Sequence, residues 1–80
     1  MLSIVTLSQL RTMQKHLPYP EDREYAQKAI AAKERRNALF NNDCQEVSLE
    51  MERIPESSIP RMMRFAAMLH DDGTPKEEYL

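Results

Sequence analysis

The sequence predicts an all-α fold, a small bundle of about four short helices. Three observations carry that expectation. Glycine occurs once in 80 residues, which leaves little for the tight turns of hairpins. Ala, Glu, Lys, Arg, Met and Leu, the strong helix formers, recur throughout. Prolines at 18, 20, 55, 60 and 75 divide the chain into stretches with apolar residues at helical spacing.

The first helix is expected over residues 6–17. "TLSQ" at 6–9 is a capping box, in which Thr6 accepts a backbone N–H and Gln9 reaches back. Leu7, Leu10, Met13 and Leu17 then share one stripe, and Pro18-Tyr19-Pro20 ends it. The second helix is expected over 21–40. Glu21, Asp22 and Glu24 suit its positive end. Tyr25, Ala29, Ala32, Leu39 and Phe40 are expected to line one face, the alanines admitting a neighbouring helix. Arg36 projects from that face. Its head either reaches water along an apolar stem or pairs with an acid at an interface. Asn41 and Asn42 suit the stop.

Residues 43–54, "DCQEVSLEMERI", fit two templates. As a helix, Asp43 caps it and Cys44, Val47, Met51 and Ile54 align. As a strand, Val47, Leu49 and Met51 alternate with Ser48, Glu50 and Glu52. The cap and the glutamates favour a helix over 44–54. The alternative is an α+β chain with a short two-stranded sheet from residues 2–6 and 46–52. The fourth helix is expected over 60–70, with Pro60 in its first turn. Ile59, Met62, Met63, Phe65, Ala66 and Leu69 form its apolar arc, and Arg61, Arg64 and Met68 lie opposite. Gly73 is placed to turn the chain. Residues 1–73 thus read as a single helical domain and 74–80 as a flexible tail.

Length and composition bound the function. A chain of 80 residues makes one small domain with a modest core. Its 41% hydrophobic and 30% charged residues set it apart from disordered chains. The lone Cys44 cannot form an internal disulfide. Association is therefore the expected aid to stability, as a homodimer or a complex with a partner. A single cysteine fits a reducing compartment. The opening "MLSIVTLSQL" lacks the basic start and long apolar run of a signal peptide. No run approaches the ~20 apolar residues of a membrane span. A cytoplasmic protein without membrane contact is expected. The net charge of −2 argues against a global nucleic-acid binder.

"MLHDDG", residues 68–73, is the stretch that most resembles chemistry. Imidazole and carboxylate can together bind a metal, but a working site needs further ligands. The only other histidine is His16, and there are only four aspartates. The better reading is punctuation: a His at a helix end, then a polar turn. Cys44 lies on an apolar stripe with no activating group nearby in sequence. No phosphate loop, C-x-x-C or G-x-S-x-G is present. No enzyme activity, metal or cofactor is expected.

Two binding readings remain. A protein-interaction surface is carried by Arg36, Arg61, Arg64 and Met68, because arginine and adaptable thioethers favour interfaces. The chain would then be a regulator or accessory subunit that occupies a larger partner's surface. The alternative is a dimeric nucleic-acid-binding regulator using Arg23, Lys33, Arg35 and Arg36, around the "KERR" stretch at 33–36. Glu34 and the 100° step between Arg35 and Arg36 break that patch.

"AAKERRN" at 31–37, with "ER" at 52–53 and "PE" at 55–56, resembles the small helical theta subunit of bacterial DNA polymerase III. The resemblance covers under half the chain. Ala38-Leu39 stand where that family has a proline, and the first helix is extra. It implies a non-catalytic accessory subunit bound to a larger enzyme.

Overall fold

A computed structural model describes residues 3–40 and 45–79. The elements run β1 (Ile4–Thr6), α1 (Leu7–His16), α2 (Pro20–Phe40), β2 (Glu46–Ser48) and α3 (Ile59–Ala66), then a short 3-10 turn at Glu77–Tyr79. The all-α, four-helix expectation is thereby corrected: among the described residues, three helices accompany a two-stranded antiparallel sheet.

The correction falls on residues 44–54. β2 pairs with β1, Val5 opposite Val47 and Ile4 opposite Ser48. The pair lies within the stretches 2–6 and 46–52 weighed as the alternative, and is shorter than either. Period two sends Val47 and Leu49 inward, and Val5 meets them from the other strand; all three are buried. Met51, which both templates place with the apolar set, is 71% exposed, because the strand ends at Ser48 and the chain turns after it. Local propensity for helix thus yields to a cross-strand valine pair in the core. The proposed cap Asp43, the proposed stop Asn41 and Asn42, and Cys44 lie outside the described residues, as does the side chain of Phe40.

The chain closes β2 with a single capped turn. Arg53 N–H donates to Glu50 O (3.1 Å) and Ile54 N–H to Leu49 O (3.2 Å). Arg53 is left-handed, with φ 60°. This bond pattern is the Schellman ending of a helix, here on one turn, with buried Leu49 and Ile54 flanking it. Glu50 accepts the Ser3 N–H on both oxygens (3.0 and 2.8 Å), which ties the turn to the start of β1. That backbone donor holds the Glu50 carboxyl below its ordinary range.

α1 forms where the capping box predicts. Gln9 N–H donates to Thr6 Oγ1 (3.1 Å) and Thr6 N–H to Gln9 Oε1 (3.0 Å). Leu7, Leu10, Met13 and Leu17 are buried. Burial of a side chain such as Leu10 or Met13 contributes about 1.5–3 kcal/mol. α2 starts at Pro20, whose missing N–H costs nothing at that position. Its inward face is Asp22, Ala26, Ala29 and Ile30, and the small alanines let α1 approach. The expected apolar face stops there: Ala32 is half-buried and Leu39 is 73% exposed. The helix outruns the core it packs on.

α3 ends at Ala66, not 70. The chain then folds back on itself. His70 N–H donates to Thr74 O (2.8 Å), Gly73 N–H to His70 O (2.9 Å), and Lys76 N–H to Met68 O (2.9 Å). Leu69 and Pro75 form an antiparallel bridge. Asp71-Asp72-Gly73 is thus a three-residue hairpin loop with glycine in the left-handed bulge position, φ 85°. The same loop sits on the start of α1. Thr6 Oγ1 donates to Asp71 O (2.6 Å), Gln9 Nε2 to His70 O (3.3 Å), and Thr12 Oγ1 to Gly73 O (2.7 Å). Thr6 and Gln9 therefore cap α1 and hold the loop with the same side chains. The segment from 74, expected as a tail, begins with these backbone bonds.

Candidate functional site

Arg61, Arg64 and Met68 line one cleft of 240 Å³ with Leu17, Pro18, Tyr19 and Phe65. One wall is the link between α1 and α2; the other is the outer face of α3. Residues 61, 64, 65 and 68 fall within one arc by helical spacing, so α3 and the turn after it present them together. Leu17 is buried and forms the floor, Phe65 and Met68 are half-buried, and Tyr19 is 48% exposed. Among the seven lining residues there is no carboxylate, imidazole or thiol.

The two arginines differ. Arg61 Nε donates to Asp22 Oδ2 (2.7 Å) and its NH2 group to Oδ1 (2.9 Å), a fork-to-fork pair. The same NH2 group also donates to Ser58 Oγ (3.3 Å). Its guanidinium carbon lies 4.6 Å from the Tyr19 ring centre, a cation–π contact. The Asp22 side chain is fully buried and that of Arg61 is 35% exposed. The Arg61 hydrogen bonds hold the Asp22 carboxyl below its ordinary value despite burial, which acts the other way. Asp22 in turn raises Arg61. Arg61 is therefore a wall of the cleft, pinning α3 to the start of α2 and orienting Tyr19. Arg64 is exposed and makes no ion pair among the described residues.

Asp22 is the residue that sequence reasoning misplaced. It reads as a dipole-compensating acid in the first turn of a helix. Yet Asp22, Ala26 and Ala29 share the i, i+4, i+7 stripe, so the acid stands on the inward face. That spacing is the signal that it needed a buried partner.

Arg36 lies elsewhere. It pairs with Glu52, whose side chain is only 5% exposed. Both line a second cleft, of 330 Å³, with Ile4, Lys33, Glu46, Ser48 and Met51. Of the two roles expected for Arg36, pairing with an acid is the one adopted, and the acid is in its own chain. Arg23, Lys33, Arg35 and Arg36 do not form one patch. At about 100° per residue they point at roughly 0°, 280°, 120° and 220° around α2.

His70, Asp71 and Asp72 are exposed on the hairpin loop. The work of this segment is done by its backbone carbonyls on α1. The Asp72 side chain accepts from Thr74 N–H (3.0 Å) and Oγ1 (2.6 Å), and the Thr74 hydroxyl bond holds it below the ordinary carboxylate range. Among the described residues, no group of three or more His, Cys, Asp or Glu side chains could hold a metal ion. No helix among them is long and apolar enough to cross a membrane.

No family model matches the chain, and neither a curated protein nor a solved structure matches it. The resemblance of residues 31–37 and 52–56 to the polymerase theta subunit gains no support from these comparisons.

Proposed function

We propose that the chain is a binding module without catalytic activity, a regulator or accessory subunit that engages a larger protein through the Tyr19–Phe65–Met68 cleft. One observation carries this reading: an apolar cleft with aromatic walls is lined also by the exposed Arg64, which makes no ion pair among the described residues. The floor suits an aliphatic or aromatic side chain. Arg64 suits a carboxylate one or two residues away on the same segment, through a charge-assisted bond. The occupant is therefore a partner segment that sets an apolar anchor beside Asp or Glu. The cytoplasmic setting expected from the sequence belongs to the same proposal.

A peptide-display selection against the full chain tests it. Enriched peptides should pair an apolar residue with a nearby acid. Their affinity should fall at least tenfold on Phe65→Ala, and Arg64→Glu should remove the preference for acid while leaving helicity unchanged. Peptides with no common pattern, or binding indifferent to both substitutions, would overturn the reading. Binding to random DNA that weakens steeply with salt would instead favour a nucleic-acid role.

A further inference from the structure

The second cleft has a different character. The pairing register puts Ile4 opposite Ser48 and Thr6 opposite Glu46, while Val5 and Val47 turn inward. Ile4, Glu46 and Ser48 thus share the outer face of the sheet. They line the cleft beneath the second half of α2, which contributes Lys33 and Arg36, and the turn after β2 adds Met51 and Glu52. Ile4 is 49% exposed and Met51 71%. These are large exposed apolar side chains in a fold with a small core.

Charge is arranged around them in two halves. Lys33 and Arg36 stand on the helix wall; Glu46 and Glu52 stand on the sheet and turn wall. Arg36 and Glu52 already pair across the cleft. Glu46 interacts within its own chain as well, and a carboxylate has room for another donor. A surface with equal charges of both signs does not match a polyanion. It does match its own image. An isologous contact with its two-fold axis along the cleft brings each patch against the same patch inverted, so the cationic wall of one copy meets the anionic wall of the other.

We infer that this cleft is a homodimer interface, with Ile4 and Met51 of both copies at its centre and Lys33 of each copy facing Glu46 of the other. It is separate from the Tyr19–Phe65–Met68 cleft, so a dimer leaves two partner-binding clefts open. The apolar centre supplies the contact, and the crossed charges fix its register.

Sedimentation or light scattering of the full chain tests this directly. The native mass should rise from 9.4 kDa toward twice that value as concentration increases. Met51→Lys should keep the chain monomeric with an unchanged circular dichroism spectrum. Lys33→Glu alone and Glu46→Lys alone should each weaken self-association at least tenfold, since each sets two like charges face to face. Mixing these two variants should restore a dimer, because both crossed contacts again become attractive. That restoration cannot come from a folding defect. A wild-type chain that stays monomeric to about 100 μM, roughly a hundredfold above a micromolar dissociation constant, would overturn the inference. So would a dimer indifferent to Met51→Lys, or paired variants that fail to associate.

Discussion

Gly73→Ala is the most direct test of how the hairpin loop is seated on α1. Gly73 is buried and left-handed, and a Cβ built there would lie 2.5 Å from Ser8 O and 2.8 Å from Thr12 Oγ1. Two costs follow. A left-handed alanine costs about 1–2 kcal/mol, partly offset by about 0.4–1 kcal/mol from the less flexible unfolded chain. The contact with Ser8 O cannot be relieved by a rotamer, because that oxygen belongs to the helix backbone. Overpacking of this kind costs about 1–3 kcal/mol. The sum is about 3 kcal/mol, which for a domain of this size lowers Tm by about 12–24 °C. Urea melts followed by far-ultraviolet circular dichroism should show the loss as a lower midpoint at unchanged slope. Gly73→Asn separates the two costs. Asparagine tolerates the left-handed region but still carries the offending Cβ, so it should recover only about 1 kcal/mol. Full stability in Gly73→Asn, or a Gly73→Ala cost under about 1 kcal/mol, would refute the close seating of the loop on α1.

Two further predictions concern the same fold. Arg61→Met should destabilise by about 2–3 kcal/mol in thermal or urea melts. This is below the roughly 3–5 kcal/mol for breaking a fully buried pair, because the exposed guanidinium gives way to water that can reach Asp22. The pair also sets a pH dependence. Asp22 is held below its ordinary value of 3.8, so its contribution is complete above that value and is lost as pH falls through the lower folded one. The stability gap between wild type and Asp22→Asn, measured by urea melts, should therefore close below about pH 3.8. Arg53→Gly should act in the opposite direction. Arg53 is exposed with φ 60°, and glycine there should raise stability by about 0.5–1 kcal/mol, read as a higher urea midpoint.

The parts of the fold that were legible are those decided within one turn of chain. The capping box of Thr6 and Gln9 and the stripe from Leu7 to Leu17 are local, and α1 follows from them. The acids at 21, 22 and 24 similarly mark the start of α2, which takes in Pro20 just before them. Residues 46–49 were not legible, because alternation and helical spacing fit them equally. What decides is Val5, which lies on the far side of α1 and α2 in sequence. The end of α3 is similar. Leu69 continues its apolar period, but the bonds that His70 and Met68 make with Thr74 and Lys76 draw the chain into a hairpin. Asp71-Asp72-Gly73 is compatible with a hairpin loop. The same residues suit the polar turn that ends a helix, and the bonds to Thr74 and Lys76 decide between the two. In the cleft, the shared face of Arg61, Arg64 and Met68 follows from helix spacing. The opposing wall, from Leu17 to Tyr19, is tertiary and has no local signature.

Division of labour among the arginines is what turns a charged surface into a site. Four of them meet a partner or a defined conformation in the fold. Arg61 closes on buried Asp22, Arg36 on nearly buried Glu52, Arg11 on exposed Glu34, and Arg53 holds a left-handed turn. The Arg11–Glu34 pair, about half exposed on both sides, adds little to stability. The other two join elements through a buried or nearly buried acid: Arg61 ties α3 to the start of α2, and Arg36 ties the second half of α2 to the turn after β2. Both line a cleft while their charge is paired inside the chain. Each cleft therefore keeps one cation beyond its internal pair, Arg64 in the first and Lys33 in the second. That arrangement makes a sharp separation between variants. Arg61→Met should lower stability and, through the displaced Tyr19, weaken cleft binding as well. Arg64→Met should leave the urea midpoint within about 0.5 kcal/mol of wild type and act on binding alone.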